Sequence, residues 1–386
     1  MAAYWAFAAF GALWGVWGAA LPQIKAHAEV DDGQLGTALL FVAAGALPAM
    51  LLTGRASDRW GPRVPAAALV ALGVAGVLVA VLARGAFSLS VALLLLGAAS
   101  GSADVAINAV AGAAERTCRR PVITFSHATF SAAVVAASLL TGLLQRLGAP
   151  LWVAFSGVVL IAGIAARFLL RGTPAEHGNP RTPAGATGPG RDAIASPPPW
   201  LRSPLLVAVG VVAALAFAVE NAHQSWGAIY LVDVLTVSPA LAAVAPALFA
   251  TVAAITRLAA GSLSHLRPVV LLLTGGAVAT AGTVLLAGSR SVPLALLGLA
   301  CAAAGTAVLF PTLLSASTAG VVEAVRGRVT SLISTTAYLG FLCGPVIVGR
   351  LADSHGLRGA MLGVAAIAAL FTVLARPTIA RIRAPR

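Results

Sequence analysis

Lysine is nearly missing from this chain: of its 25 basic residues only Lys25 is a lysine, and the rest are arginines. Charge of either sign is scarce as well, at 10% of 386 residues. A water-soluble chain of that length needs more charge to keep its surface wetted. Cysteine is rare, and Cys118, Cys301 and Cys343 stand at no CxxC or metal-ligand spacing. The thiols therefore read as free and structural, and no metal or other cofactor is expected. The net charge of +13 comes without any Lys/Arg block interleaved with aromatics, which argues against a nucleic-acid partner. No P-loop and no nucleophile elbow is present, so ATP-driven pumping and membrane hydrolysis have no support. One string, His27 to Asp32 with His-x4-Asp spacing, lies in a short loop without a partner motif and reads as chance. The chain is not expected to be an enzyme.

Long apolar runs are what the sequence has instead. Hydrophobic residues make up 59% of it and the mean hydropathy is +0.95. About 20 apolar residues cross a hydrocarbon core of about 30 Å. Runs between charges place spans at 4–24, 34–53, 64–83, 87–113, 122–145, 150–170, 204–230, 239–261, 268–288, 292–318, 329–349 and 357–375. The N-terminus lacks the positive region of a cleaved signal peptide, so the first run reads as a permanent span. Residues 171–203 are proline-rich and polar and read as a flexible cytoplasmic linker. The expected fold is an all-α membrane protein of twelve transmembrane helices. It divides into a six-helix bundle at 1–170, the linker at 171–203, and a six-helix bundle with a short basic tail at 204–386.

Arginine placement orients the spans. With the N-terminus inside, cytoplasmic segments hold 19 of the 25 basic residues, among them Arg55, Arg59, Arg63, Arg116, Arg119, Arg120, Arg257 and Arg267. The other face holds six: Lys25, Arg84, Arg146, Arg290, Arg350 and Arg358. The positive-inside rule then puts both termini in the cytoplasm of a multi-pass cell-membrane protein, expected as a monomer with the lipid bilayer around it.

The two halves echo each other. Trp17-Gly18-Ala19 returns as Trp226-Gly227-Ala228, Gly54 as Gly261, and Glu115 and Arg120 as Glu323 and Arg328, at offsets of 207 to 209. Six spans separate the copies, so they share one membrane orientation and form a parallel repeat.

The loop after the second span reads Gly54, Arg55, Ala56, Ser57, Asp58, Arg59, Trp60, Gly61, Pro62, Arg63. It resembles the signature Gly-x-x-x-Asp-Arg-x-Gly-Arg-Arg/Lys of the major facilitator superfamily, with Pro62 in place of one basic residue. The resemblance implies a transporter with Gly54, Asp58, Arg59, Gly61 and Arg63 as a cytoplasmic gate. Gly54 would let helix ends approach, and Asp58 would latch to a neighbouring helix N-terminus and an arginine. The second-half copy is degenerate, with His265 after Gly261, while Gly349 to Gly356 forms a third echo on the outer side. A narrower string, Gly101 to Asn108, then Glu115, then Phe125 to Ser131, is similar to the YbjJ-like branch related to fucose-type sugar:proton symporters, as is Glu220 to Tyr230.

Ionisable groups inside spans are costly and mark function by default. Asp104 lies near the middle of span four, with Asn108 one turn on and Glu115 on the same face near its end. A carboxyl removed from water favours its protonated form, which suits proton coupling. Asp104 is expected to carry the proton or bond the substrate, with Asn108 fixing a polar group. A structural hydrogen bond between helices is the competing reading. Glu220, His223 and Gln224 are read on one face of span seven beside Asn221, where a Glu–His pair would relay protons, against a purely structural network. Trp14, Trp17, Trp226 and Tyr338 are candidate cavity aromatics, against ordinary interfacial anchoring. Glu115 is expected to pair with Arg116, Arg119, Arg120 or a latch arginine, and Glu323 likewise. His127 is a candidate gate.

The expected function is alternating-access transport of a small polar solute together with a proton. A proton-coupled drug exporter is the alternative. Many such exporters carry Gly-Pro in span five, whereas here span five has no proline and Gly344-Pro345 falls in span eleven. A transport-dead receptor is a third class.

Overall fold

A computed structural model describes residues 1–171, 204–262, 267–319, 321 and 323–383, and every regular element among them is an α-helix. The first half comprises α1 (Ala2–His27), α2 (Asp32–Trp60), α3 (Arg63–Leu82), α4 (Ala86–Cys118), α5 (Val122–Arg146) and α6 (Leu151–Arg171). The second comprises α7 (Pro204–Asp233), the single turn α8 (Pro239–Ala242), α9 (Val244–Ser262), α10 (Pro268–Gly288), α11 (Val292–Ala307), α12 (Leu309–Thr318) and α13 (Glu323–Arg383). With α8–α9 and α11–α12 each taken as one interrupted run, eleven helices are long and apolar enough to cross a membrane.

The sequence leads one to expect twelve. The difference lies in α13, a 61-residue stretch whose helical geometry breaks at Gly356 (φ 68°, ψ 168°). Both last apolar runs, 329–349 and 357–375, fall within it. A side chain on Gly363 would collide with Leu351, so the chain beyond Gly356 packs back on what precedes it.

Helix ends follow local chemistry. Asp31 caps α2, its Oδ1 accepting the Gln34 amide at 2.7 Å while Gln34 Oε1 accepts the Asp31 amide at 3.2 Å. Gly61 ends α2 at φ 56°, where a β-carbon is disfavoured. Between spans, small residues set the packing, because lipid tails are as apolar as leucine and close approach supplies the attraction. A β-carbon on Gly45 would strike the Leu94 carbonyl, and one on Gly97 the Val42 carbonyl, so α2 and α4 meet backbone to backbone.

The termini and the α2–α3 and α4–α5 turns lie at one end of the spans, called here the terminal face. The α1–α2, α5–α6 and α7–α8 turns lie at the other, the opposite face. The halves touch through α1 with α7, α2 with α13, and α5 with α8 and α9. Gly36 packs on Pro345 and Gly349, Gly142 on Ala240 and Ala243, and Gly18 on Pro246, all from the middle of the spans toward the opposite face. The polar contacts joining the halves among the described residues are there too. Lys25 Nζ lies 2.5 Å from Asp32 and 2.6 Å from Asp233, and the Gly33 amide donates to Asp353 at 2.9 Å. Toward the terminal face the same helices carry exposed Trp60, Phe125, His127 and Arg257.

Candidate functional site

On α4, Asn108 Nδ2 donates to Asp104 Oδ1 at 3.0 Å and to the Asp104 carbonyl at 2.9 Å, as the one-turn spacing allows. Asp104 is half-buried and has no cation within ion-pair distance among the described residues. From the other half Tyr338 of α13 lies within electrostatic range of it. Asp104 thus lies near the seam between the halves with no cationic partner among the described residues.

On α7 the expected Glu220–His223 pair does not form. Glu220 Oε1 instead lies 2.8 Å from Arg257 Nη2 of α9 and accepts Gln224 Nε2 at 3.1 Å. Arg257 Nε also donates to the Ala307 carbonyl at 3.3 Å, at the break between α11 and α12. His223 turns away into the second half and is buried. Its Nδ1 lies 2.7 Å from the Val219 carbonyl, its Nε2 lies 3.0 Å from Thr283 Oγ1, and its ring stacks on Phe249. The Thr283 hydroxyl and the Phe249 ring satisfy an imidazole that would otherwise look for Glu220. Asn221 is likewise a clamp inside this half, donating to the Phe341 carbonyl at 2.5 Å and accepting from Ser225 at 3.1 Å.

The charge pattern groups Arg257 with the cytoplasmic loop arginines, and its placement corrects that: its guanidinium turns inward to Glu220. The signal is available in the sequence, since residue 257 falls inside the apolar run 239–261, where a charge needs a partner.

The four candidate aromatics separate. Trp226 is fully enclosed and Trp17 is buried, so neither lines a cavity in this conformation. Trp14 is half-buried against Phe10, and Tyr338 is exposed. Tyr338 belongs to an aromatic cluster whose members Phe217 and Phe341 the sequence reading did not single out. Phe217 packs on Phe310 (ring centroids 4.4 Å apart), Tyr338 (5.9 Å) and Phe341 (6.3 Å), one turn from Glu220.

At the terminal face the signature loop forms no latch among the described residues. Asp58 is exposed and forms no ion pair among the described residues, and nothing lies near Gly54, where a close helix approach was expected. Arg59 sits over the Trp60 ring at 5.4 Å, and Arg63 is exposed. Glu115 pairs with no arginine among the described residues. Its Oε2 accepts the Ile123 amide at 2.9 Å, where the free N–H groups of the α5 N-terminus attract an anion. His127 is exposed, edge-on to Phe7 at 5.0 Å, and within electrostatic range of Arg257 across the halves. The side chains of Glu323 and Arg328, the surroundings of Gly261, the residue His265, and the linker beyond Arg171 lie outside what the structure describes.

A multi-helix membrane fold with two halves meeting over such a polar interior has a match among known families. The model of the Major Facilitator Superfamily matches residues 3–338. This chain belongs to the Major Facilitator Superfamily. Similar curated members include the uncharacterized transporter y4wD of Sinorhizobium fredii, 29% identical, with 95% of this chain and 94% of that protein aligned. An uncharacterized MFS-type transporter of Yersinia pestis is 28% identical, covering 93% and 90%. The chain is thus a multi-pass superfamily transporter. Among solved structures, the nucleoside transporter NupG superposes with a TM-score of 0.78 over 100% of this chain and 98% of that one, at 15% identity. A D-xylose-proton symporter superposes with a TM-score of 0.72 over 97% and 96% at 15% identity. At those identities the likeness speaks for the superfamily fold alone.

Proposed function

We propose that this chain is a proton-coupled secondary transporter that moves a small polar solute across the cell membrane by alternating access. The reading takes the break at Gly356 as the turn between spans eleven and twelve, giving two six-helix bundles related by the parallel repeat. It takes the terminal face as cytoplasmic, which the arginine distribution supports. The unlatched signature loop and the contacts at the opposite face then correspond to an inward-open state. Kinship with the YbjJ-like branch rests on the strings in spans four, five and seven.

The observation that carries the proposal is the contrast between the two interior carboxylates. Glu220 has Arg257 at 2.8 Å, whereas Asp104 has Asn108 at 3.0 Å and no cation within ion-pair distance among the described residues. A carboxylate in a closing, drying cavity must acquire a proton or a cationic partner. Asp104 is therefore assigned the proton, and Asn108, Gln224 and the Glu220–Arg257 pair are assigned the solute's polar groups. In proteoliposomes, an imposed inward proton gradient should drive accumulation of the solute. Uptake indifferent to the gradient would remove proton coupling.

The aromatic cluster around Phe217 favours a second reading, efflux of an aromatic, lipophilic solute. A ligand screen by thermal stabilisation in detergent separates the two, since a ligand that binds only the folded state raises its apparent stability. Stabilisation by sugars or organic acids supports the polar solute, and stabilisation by lipophilic cations alone supports the exporter.

A further inference from the structure

Residues 25 and 233 are 208 positions apart. That spacing equals the offset between the two copies of the internal repeat, so Lys25 at the end of α1 and Asp233 at the end of α7 occupy equivalent places. If a two-fold axis relates the halves, equivalent residues touch only on that axis. The contacts on either side agree. Gly349 of α13 faces the Asp32 carbonyl, and Gly142 of α5 faces the Ala240 carbonyl. The matching members of those two contacts are 207 and 208 residues apart. The opposite face is thus closed by a symmetric pair of small-residue contacts, with one ion pair at its centre.

Lys25 has two acidic partners with different allegiances. Asp32 belongs to its own half, one turn across from α1, and Asp233 belongs to the other half. The three side chains are 16%, 19% and 35% exposed, so the ammonium is partly withdrawn from water. When the halves part, Lys25 loses Asp233 but keeps Asp32, so its charge is never left unpaired. Asp32 therefore lowers the cost of opening, while Asp233 raises it.

We propose that Lys25, Asp32 and Asp233 form the gate lock of the opposite face, with Asp233 as the catch and Asp32 as the place where Lys25 waits when the face is open. The inference rests on the alternating-access reading. It predicts effects of opposite sign from two acidic residues that touch the same ammonium, which a merely structural cluster would not give.

The test is a distance measurement between spin labels at Ala26 and Leu241, both exposed at this face, in the full chain with Cys118, Cys301 and Cys343 replaced by serine. Asp233→Asn should raise the ratio of open to closed populations about five-fold, an amount typical of losing one partly exposed ion pair. Asp32→Asn should lower it. The exchange Lys25→Asp with Asp233→Lys should bring it below the Asp233→Asn value, because the ammonium at position 233 then meets carboxylates only when the face is closed. Gly36→Trp, which wedges α2 from α13 without touching the ions, serves as the positive control for opening. If the control opens the face but Asp233→Asn leaves the populations unchanged, or both acidic variants shift them the same way, the lock is overturned and alternating access stands. If the face opens in no protein, control included, alternating access itself fails and the lock with it.

Discussion

Arg257 reaches from α9 to within 2.8 Å of Glu220 on α7, and its Nε donates to the carbonyl of Ala307 at the break between α11 and α12. One guanidinium thus ties three helices of the second half at mid-depth. Glu220 is 12% exposed and Arg257 47%, so the pair is wet on one side only. Removing one partner leaves the other charge uncompensated, which costs more than the intact pair contributes. Arg257→Gln and Glu220→Gln should each lower stability by about 1–2 kcal/mol, less than the cost in a fully dry site because Arg257 is half in water. The double variant Glu220→Gln/Arg257→Gln should recover part of that loss. Thermal unfolding in detergent reads all three. A double variant as unstable as the sum of the singles would rule out the coupling.

Asp104→Asn keeps the size of the side chain and its bond with Asn108 but cannot exchange a proton. Under the proposed mechanism, accumulation driven by a proton gradient should fall at least about ten-fold, equivalent to a loss of about 1.4 kcal/mol or more. Exchange of labelled for unlabelled solute at equal concentrations should persist. Loss of both activities together would move Asp104 from coupling to solute binding.

Phe217 lies at the centre of the aromatic cluster, within 6.3 Å of three other rings. If the solute stacks there, Phe217→Ala should raise KM by about ten-fold with little change in kcat, as removal of uniform binding does. If the solute is a small polyol held by Asn108, Gln224 and Arg257, Phe217→Leu should transport normally.

Cys118 is exposed at the end of α4 on the terminal face. In a variant retaining this cysteine alone, a membrane-impermeant maleimide should label inverted vesicles and leave intact cells unlabelled. The reverse pattern would invert the proposed topology.

Gly97 sits against the backbone of α2. Gly97→Val should lower the unfolding midpoint and the yield in detergent, since a packed seam must open to admit the side chain, at a cost of about 1–3 kcal/mol.

Spans and family were legible because hydropathy and the Gly54 to Arg63 loop are local signals, each contained in one stretch of chain. Glu220 stood out for the same reason, as a charge in an apolar run. Its partner did not. Helical spacing nominates neighbours three and four residues away, and it pointed to His223, whereas Arg257 arrives from another helix 37 positions on. Thr283, 60 residues from His223, decides where the imidazole turns, and no periodicity reports that. Trp17 and Trp226 fitted the pattern of interfacial aromatics, but burial depends on which helix lies next to them. Glu115 was matched to nearby arginines by charge, and the main-chain donors of α5 took it instead. The boundary between the runs 329–349 and 357–375 was legible too, and the helix breaks there at Gly356.

The interruptions in the helices are distributed unequally. Each of α1 to α6 runs unbroken, while in the second half the spans formed by α8–α9 and by α11–α12 are interrupted at Ala243 and Val308. An unbroken helix bends little, and a break concentrates bending at one residue. The first half is thus the stiffer frame, and most internal deformation in a transport cycle should fall in the second. In mechanical terms the machine has a stator and an articulated arm, and Arg257, bonded at one of the joints, sits where motion of the arm would first be felt.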